Sequence, residues 1–552
     1  MRRFNLALGV VAGMITGNSL AEPVMAKPIV IPEIKHDISK SLKEMALEVP
    51  KASEPKKHVV PLHIVPMKLP PVEKNFVDQA LQTNIENSIV TIPGLSFLGL
   101  GLGYPGYIPN TTPPDTNAAV GLTQVVEWVN TDFVIFNKAT GIAITAPTPG
   151  NALWAGFGGP CEEFNDGDPI VKYDQLANRW VFTQFAIGDK EHQTQCVAIS
   201  ITPDATGPYF RYAYDFGPTF NDYGKLAVWP DAYYMMFNMF TAESGPDNDL
   251  VAPLPFIPGP AACAMDRNSM LIGAPASIQC FQTQVDAGLF LPSDLDGHVP
   301  PPPGSPNYFI GLLKENGVTS MDHLAVWKFY VNWSNPLLSR FFGPLPLKVA
   351  PFNPKICEPS DGNAEGDCAM QPGTTAKLDV ISDRPMYRLA YRNFGLHQSF
   401  VLNHNVQVGN QVPATRWYEI RINLLGRMSV HQQGTYMPYD GIGRWMGSIA
   451  MDKQGNIALG YSASSPFLFP SIRYTGRNFF DPRNIMRSEN VIATGSASQL
   501  PSKPGEINRW GDYSSMALDP SDDCTFWYAN EFIMSPESWS TMIASFKFPS
   551  CH

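Results

Sequence analysis

The chain has 552 residues, of which 44% are hydrophobic and 16% are charged, and its formal net charge is -11 at pH 7. Nucleic acids and anionic membranes attract basic surfaces, so this charge argues against both as main partners. The charge is compatible with divalent-cation sites, although solubility alone also explains it.

The first 21 residues have the features of a bacterial-type signal peptide. Arg2 and Arg3 precede an uncharged, mostly apolar run over residues 4–17, and Ser19-Leu20-Ala21 supplies small residues at a cleavage site. The run is too short to cross a bilayer, and no later stretch reaches the roughly 18 apolar residues of a membrane-spanning helix. We therefore predict a secreted or periplasmic protein that has no transmembrane segment and is a monomer.

Residues 22–90 differ from the rest of the chain. They contain nine prolines but no glycine, cysteine or tryptophan. A first apolar pattern has helical spacing and consists of Ile34, Ile38, Leu42, Met45 and Val49, and a second runs from Phe76 to Ile85. This composition predicts a proline-rich, partly helical N-terminal segment, with two short helices and a linker, which tethers the folded domain.

Residues 91–552 contain many short runs in which apolar and polar residues alternate, which is typical of β-strands. Turn sequences such as Asp452-Lys453-Gln454-Gly455 separate these runs. The clearest predicted strands are Val125–Phe136, Asn178–Phe185, Asp231–Phe240, Arg416–Asn423, Gly447–Met451, Asn456–Ser462, Ser514–Leu518 and Thr525–Phe532. Helical periodicity is confined to a short piece near Asp266–Ile272, so the domain is predicted to be all-β.

An internal repeat narrows the predicted architecture. Residues 444–452 read Arg-Trp, two residues, then Ser-Ile-Ala-Met-Asp, and residues 509–519 read Arg-Trp, four residues, then Ser-Met-Ala-Leu-Asp. Looser echoes occur over residues 167–180 and 226–233. Such repeats predict a β-propeller, and about 460 residues suit six to eight blades. Two packed β-sandwich domains are the alternative.

The eight cysteines occur as four neighbouring pairs, and none has the spacing of a zinc site. Export implies an oxidising compartment, in which disulfides form and persist. We predict that Cys161 pairs with Cys196, Cys263 with Cys280, Cys357 with Cys368 and Cys524 with Cys551. Sequence alone leaves the other connectivities open.

Nine stretches that span nearly all of residues 91–552 resemble a known family. They are PPDTNAAVG (113–121), EWVN (127–130), NDGDPIVKYDQLANRWVFTQFA (165–186), VWPDAYYMMFNMF (228–240), YRLAYRNFGLHQSFVLNHNV (387–406), RWYEIR (416–421), QQGTY (432–436), RWMGSIAMD (444–452) and RWGDYSSMALDPSDDCTFWYANEF (509–532). The family comprises uncharacterised exported bacterial proteins with a predicted sialidase-like β-propeller. The resemblance implies this fold and an extracellular address, but no catalytic residues, since the motif around the first arginine of the sialidase triad is missing.

Four aspartates precede or begin presumed inner strands of the propeller, namely Asp115, Asp168, Asp231 and Asp512. Equivalent strand ends converge on the axis of a propeller, so we expect these carboxylates to form a ring at one mouth of the channel. Such a ring suits Ca²⁺, which takes about six to eight oxygen ligands, or a polyhydroxylated ligand. The alternative is that each aspartate only stabilises a turn.

Arg444 and Arg509 occupy equivalent positions in the repeat, directly before a tryptophan. Either they line the channel and bind an anion or a sugar, or each pairs with an aspartate of a neighbouring blade and stacks on an aromatic ring. Repeat equivalence favours the structural role, since a ligand rarely demands identical groups from two blades. His397 and His404 are predicted to be ordinary hydrogen-bonded residues, because their odd separation puts them on opposite faces of a regular strand.

A second calcium hypothesis concerns the loop between Cys357 and Cys368. The loop contains Asp361, Asn363, Glu365 and Asp367, which are oxygen ligands at loop spacing, although an EF-hand needs a longer pattern. Calcium is the only cofactor that the sequence suggests.

The sequence leaves three functions open. The leading hypothesis is a propeller that binds an extracellular glycan or protein at its axial mouth. The alternative is a sialidase-like glycoside hydrolase or another carbohydrate-active enzyme, in which Asp168 and Asp512 share the acid and base roles. The third is a structural envelope component that residues 22–90 tether.

Overall fold

Seven four-stranded antiparallel sheets surround one axis in the computed structural model, as the blades of a propeller. The structure describes residues 27–48, 58–59, 76–82, 87–189, 191–241, 259–284, 288–315, 318–354, 367–409, 412–501 and 508–552. The predicted signal peptide, residues 1–21, lies outside this part of the chain.

The strands of each blade are given from the axis outwards. Blades 1 to 3 comprise Asn117–Val120, Gln124–Val129, Asp132–Asn137 and Thr148–Pro149; Gly167–Asp174, Arg179–Asp189, His192–Ser200 and Tyr209–Asp215; and Thr219–Val228, Tyr233–Thr241, Gly259–Met265 and Ser277–Gln282. Blades 4 to 6 comprise Phe290–Leu295, Asn307–Glu315, Val318–Tyr330 and Arg340–Lys348; Pro385–Asn393, His397–Val408, Val412–Asn423 and Met428–Tyr436; and Gly443–Met451, Ile457–Ser465, Leu468–Arg477 and Asn490–Ala493. Blade 7 comprises Ser515–Leu518, Thr525–Ser535, Ser538–Lys547 and Ile92–Gly101.

The ring of blades is closed by the strand that comes first in the domain. Ile92–Gly101 pairs antiparallel with Ser538–Lys547 and so forms the outer strand of blade 7. The inner strand of each blade contacts the inner strand of the next, and that of blade 7 contacts that of blade 1. The fold is therefore a seven-bladed β-propeller, which confirms the predicted fold and rules out two β-sandwiches.

The blades pack face to face, so their inner strands are buried on both sides. All nine residues of Gly443–Met451 are buried. The two clearest copies of the repeat hold blades 6 and 7 together, because the rings of Trp445 and Trp510 lie 5.5 Å apart and Ser448 Oγ accepts a hydrogen bond from the Met516 amide at 2.9 Å. The repeated Trp and Ser positions are thus packing positions between blades.

The N-terminal segment contributes a strand where a helix was predicted. Ile29–Ile38 pairs antiparallel with the outer strands of both blade 2 and blade 3, which merges these blades into one nine-stranded sheet. The unpaired edges of two blades compete for the backbone here more strongly than helical periodicity does. Asp37 also accepts two hydrogen bonds, of 2.8 and 2.7 Å, from the buried guanidinium of Arg211.

The rest of the N-terminal segment agrees in part with the prediction. An α-helix spans Leu42–Glu48, and Leu42 and Met45 are buried against blades 1 and 2. Residues 76–82 form no helix; Leu81–Gln82 is a short strand that pairs with the outer strand of blade 5. The described part of residues 22–90 therefore lies along the propeller.

The remaining described elements are short. The predicted helix near Asp266–Ile272 is confirmed as Arg267–Met270, with the Asp266 carboxylate accepting a hydrogen bond from the Ser269 amide. The other elements are the strand pairs His58–Val59 with Thr111–Thr112 and Asp367–Ala369 with Leu378–Asp379, the α-helix Pro160–Glu163, and the 3₁₀ helices Gly150–Trp154 and Pro336–Leu338. No helix in the described ranges is long and apolar enough to cross a membrane.

Three of the four predicted disulfides are confirmed. Cys161 bonds to Cys196, Cys263 to Cys280 and Cys524 to Cys551. The pairing of Cys263 with Cys280 joins the third and fourth strands of blade 3. The fourth prediction involves Cys357, which lies outside the described residues.

Candidate ligand site at the axial mouth

Three of the four predicted aspartates meet where inner strands begin. Asp115 precedes the inner strand of blade 1, Asp168 lies in that of blade 2, and Asp512 precedes that of blade 7. Asp115 Oδ1 accepts a hydrogen bond from the Asp512 amide at 2.6 Å, and its Oδ2 accepts one from Asn130 Nδ2 at 2.9 Å. The Asp168 amide donates to Asn130 Oδ1 at 3.2 Å, so the three aspartates belong to one network.

The backbone turns sharply as three successive chain segments reach this mouth. Asp115 and Asp168 both have φ of 47°, and Tyr223 of blade 3 has φ of 54°. Aspartate tolerates this left-handed region better than tyrosine does. The backbone of Tyr223 is therefore strained. The Tyr223 amide donates to Asp168 Oδ2 at 2.8 Å, which helps to hold the strained residue in place.

Two guanidinium groups at the mouth are paired with carboxylates. Arg509 donates to Asp379 at 2.6 Å and forms an ion pair with Asp512 at 2.8 Å. Arg384 donates two hydrogen bonds, of 2.6 and 2.9 Å, to the neighbouring Asp383. Both arginines are buried, so their positive charges are compensated within the protein.

The amine of Lys225 is held differently. Among the described residues, no carboxylate oxygen lies within 4.0 Å of Lys225 Nζ. The amine lies 3.4 Å from the centre of the Tyr223 ring and 4.0 Å from that of Tyr513, which is a cation–π arrangement.

Tyrosine rings and lysine amines continue along the axis below the mouth. The rings of Tyr513 and Tyr387 are 6.1 Å apart, and Lys172 Nζ lies 5.0 Å from the centre of the Tyr387 ring. All of these side chains are buried. These buried rings and amines therefore pack directly beside the mouth.

Burial shifts the protonation of the acidic groups. Burial, together with the Asp512 carboxylate, raises the pKa of Asp115 to about 7. Burial also raises the pKa of Asp168 and of Glu531 well above their ordinary values, and it lowers the pKa of Lys225 to about 8. Burial therefore disfavours the charged forms of Asp115, Asp168 and Glu531.

Two buried polar atoms have hydrogen-bonding capacity that the described residues do not use. Tyr223 Oη and Glu531 Oε2 have no hydrogen-bond partner, and each residue is 2% exposed. Leaving such atoms unpaired inside a protein costs free energy, so their environment is energetically unfavourable without a further partner.

We name this set of side chains the axial cluster. It comprises the carboxyl groups of Asp115, Asp168, Asp222, Asp379, Asp383, Asp512 and Glu531, the cations of Lys225, Arg384 and Arg509, and the rings of Tyr223 and Tyr513. Blades 1, 2, 3 and 7 and the connection into blade 5 contribute to it.

The structure does not place Asp231 in the axial cluster. Asp231 lies in the turn after the inner strand Thr219–Val228, so the expectation that it begins an inner strand is wrong. Its carboxylate accepts a hydrogen bond from Tyr234 Oη at 3.3 Å, and burial raises its pKa to about 6.

Arg444 and Arg509 have different surroundings despite their equivalent repeat positions. Arg444 is fully buried and pairs with Glu489 at 2.8 Å and with Asp440 at 2.6 Å, which favours the structural role. Its partners flank strands of its own blade, however, and not of a neighbouring one. Only Arg509 belongs to the axial cluster.

Sequence reasoning missed several members of the axial cluster. Lys225 and Glu531 are charged residues inside otherwise buried strands, and a lone charge in such a pattern was an available signal. Arg384 directly precedes the inner strand of blade 5, but no tryptophan follows it, so the repeat did not reveal it.

The two histidines differ: His397 stacks on Phe394 with the ring centres 5.0 Å apart and its Nε2 has no hydrogen-bond partner among the described residues, whereas His404 is an ordinary hydrogen-bonded residue. His404 is buried and lies within hydrogen-bonding distance of Tyr418 Oη at 3.0 Å and of the Asn405 carbonyl at 3.2 Å. Burial lowers the pKa of His404 to about 3, so it is neutral at physiological pH. The described residues contain no group of three or more metal-ligating side chains placed to hold an ion, and residues 355–366 of the suggested calcium loop lie outside them.

Neither a protein-family model nor a curated protein sequence matches this chain. Solved structures that are similar to it include the following three. The first is a subtype N10 neuraminidase-like protein of a little yellow-shouldered bat isolate from Guatemala, with a TM-score of 0.32 and 8% sequence identity over 66% of this chain and 94% of that chain. The second is an α-L-arabinofuranosidase from Fusarium graminearum, with a TM-score of 0.33 and 8% identity over 85% of this chain and 99% of that chain. The third is a GH43_1 enzyme from Xanthomonas citri, with a TM-score of 0.26 and 11% identity over 63% of this chain and 95% of that chain. At these scores the similarity carries no inference about ligand or activity. The fold and the mouth themselves define a seven-bladed β-propeller with an acid-rich axial cluster.

Proposed function

We propose that this protein binds a glycan at its axial mouth. The observation that carries the proposal is the axial cluster, in which ionisable and tyrosine side chains from distant parts of the chain are buried together. Burying ionisable groups costs stability, and clusters of groups with shifted pKa values occur preferentially at functional sites.

The geometry favours a sugar over a flat protein surface. Asp168 and Asp512 are only 7% and 8% exposed, so a ligand has to extend a narrow group into the mouth. Sugar hydroxyls both donate and accept hydrogen bonds, and protonated and ionised carboxyl groups together offer both kinds of partner. The polar atoms at the mouth would therefore fix the orientation of a sugar ring.

The proposal is tested on the purified full chain with a glycan array, followed by titration calorimetry of each glycan that binds. Asp115→Asn and Asp512→Asn should each weaken binding by about tenfold or more, since a hydrogen bond to a charged group is lost. Asp231→Asn is the matched control, because Asp231 is an aspartate of blade 3 that lies outside the axial cluster. Near-ultraviolet circular dichroism checks that the variants remain folded.

Two results would contradict the proposal. One is that no glycan binds the full chain. The other is that a glycan binds with the same affinity to the folded Asp115→Asn and Asp512→Asn variants.

A glycoside hydrolase is the second candidate function. Burial raises the pKa of Asp168, as a general acid requires, and Asp512 forms an ion pair with Arg509 at 2.8 Å. Two carboxyl groups in different protonation states are the pair that this chemistry needs.

Hydrolysis is tested with fluorogenic glycosides. Asp168→Asn and Asp512→Asn should each lower kcat by about 100-fold or more, whereas Asp231→Asn should leave it unchanged. Turnover that survives both axial changes would refute this assignment of roles.

We also infer that the protein is exported after removal of residues 1–21. The three disulfides support an oxidising compartment. Cell fractionation together with the mass of the mature N-terminus tests this location. Recovery only in an insoluble envelope fraction would favour the structural role considered from the sequence.

A further inference from the structure

We infer that the axial mouth selects glycans built from neutral or amino sugars and discriminates against acidic sugars. The inference rests on the proposed glycan site and names the class of ligand that this site would accept.

The charge balance of the axial cluster is the first observation. Seven carboxyl groups face three cations, so acidic groups are in excess. Burial raises the pKa of Asp168 and of Glu531 well above their ordinary values, because the charged forms of these carboxyl groups are poorly solvated. A carboxylate on the ligand would add a further negative charge to a poorly solvated site, and like charges in contact suppress binding.

The arginines do not reverse this balance. Acid recognition normally uses a guanidinium whose two nitrogens are free for a bidentate contact. Arg509 is engaged by Asp379 and Asp512, and Arg384 is engaged by both oxygens of Asp383. A ligand carboxylate would have to displace a protein carboxylate that remains nearby.

The lysine is equally unsuited to an acidic ligand. Lys225 lies between two tyrosine rings and is 1% exposed, and burial lowers its pKa to about 8. The amine lies against both rings and donates a hydrogen bond to the Gly224 carbonyl at 3.3 Å.

The unpartnered atoms point to hydroxyl or amino groups. Tyr223 Oη can donate or accept a hydrogen bond, and Glu531 Oε2 has a lone pair for a donor. A sugar hydroxyl satisfies both kinds of atom without a net charge. The ammonium group of an amino sugar would in addition be attracted by the excess of carboxyl groups.

Glycan pairs with matched backbones test the selectivity. Oligomers of galactose and of galactosamine are each compared with oligomers of galacturonic acid, and oligomers of mannose with those of mannuronic acid. All measurements use the full chain at one pH and ionic strength. The neutral or amino member of each pair should bind about tenfold or more tightly than the acidic member.

A charge-reducing variant tests the cause. Asp512→Asn removes one carboxyl group that pairs with Arg509, so it should lower the ratio of neutral to acidic affinity by about fivefold or more. Asp231→Asn is the control and should leave this ratio unchanged.

The outcomes are distinct. Acidic members that bind as tightly as their neutral partners, with affinities that depend on Asp512, would overturn the selectivity and leave the proposed glycan site intact. Binding to no glycan, or binding that is indifferent to Asp115→Asn and Asp512→Asn, would overturn the glycan site and the selectivity together.

Discussion

Arg444→Met should destabilise the protein strongly without changing the axial mouth. Arg444 is fully buried, and its guanidinium contacts Glu489 at 2.8 and 3.0 Å and Asp440 at 2.6 and 3.1 Å. Hydrogen bonds and charge interactions with Arg444, helped by Arg473, hold the pKa of Glu489 at about 2, against an ordinary value of 4.5. This difference corresponds to about 3 kcal/mol of stability at neutral pH.

Removing one partner of a buried ion pair costs about 3–5 kcal/mol, which agrees with this value. The free energy of unfolding, measured by urea titration with tryptophan fluorescence at pH 7, should therefore fall by about 3 kcal/mol or more in Arg444→Met. Because the pKa of Glu489 is lowered in the folded state, its contribution is present above pH 4.5 and is lost as the pH falls through about 2. The difference in the free energy of unfolding between the native protein and Arg444→Met should therefore become smaller as the pH falls from 4.5 to about 2.

Arg473→Met is the matched control. Arg473 contacts the same carboxylate but is more exposed, so its loss should cost less. If Arg444→Met left the stability within about 1 kcal/mol of the native value and weakened ligand binding instead, Arg444 would be a ligand-binding residue and the structural reasoning would be refuted.

Three further changes test other parts of the fold. Glu127 of blade 1 is buried and accepts a hydrogen bond from the Leu100 amide of the closing strand at 2.6 Å. Burial raises the pKa of Glu127 to about 7. The free energy of unfolding therefore falls as the pH rises from 4.5 through 7, because the buried carboxyl group has to ionise. The free energy of unfolding of Glu127→Gln should therefore exceed that of the native protein by up to about 3 kcal/mol at pH 8 and equal it at pH 4. A lower free energy of unfolding for the variant at pH 8 would contradict this prediction. Replacing both Cys263 and Cys280 by serine opens a loop with a sequence separation of 17. The free energy of unfolding, measured by urea titration under non-reducing conditions, should fall by about 3 kcal/mol. An unchanged midpoint of unfolding would show that this disulfide does not stabilise the fold. Asp37→Asn should weaken the contact of Ile29–Ile38 with Arg211 and speed amide hydrogen exchange in that strand by about tenfold or more. The strand Ile457–Ser465 of blade 6 is the control, and its exchange should not change. If Ile29–Ile38 exchanged equally fast in the native protein and the variant, strand pairing alone would hold the segment.

The sequence was a good guide to elements whose signals are local. Strand periodicity, the turns and the Arg-Trp repeat identified the inner strands of blades 6 and 7, and the helix near Asp266 was predicted within two residues at each end. Neighbouring cysteines identified three disulfides, because each bridge joins segments that are close in the chain.

The sequence was a poor guide where distant segments compete. Ile34 and Ile38 have helical spacing, but their segment became a strand because two blade edges were available to it. The pattern around Asp231 looked like the start of an inner strand, yet residues 219–228 form that strand and Asp231 follows it. Asp115, Asp168 and Asp512 were found because each lies beside a strand start, and Lys225 was not, because nothing nearby in the chain marks the axis.

By itself, the sequence determined the strands, the turns and the class of fold, since alternation, turn residues and repeated tryptophans act over a few residues. Only the tertiary structure decided the number of blades, the closure of blade 7 by Ile92–Gly101 and the membership of the axial cluster. These depend on contacts such as that between Asp115 and Asp512, whose sequence separation of 397 leaves no trace of the contact in local patterns. The protonation of the cluster was decided in the same way, because burial, and not residue type, shifts each pKa.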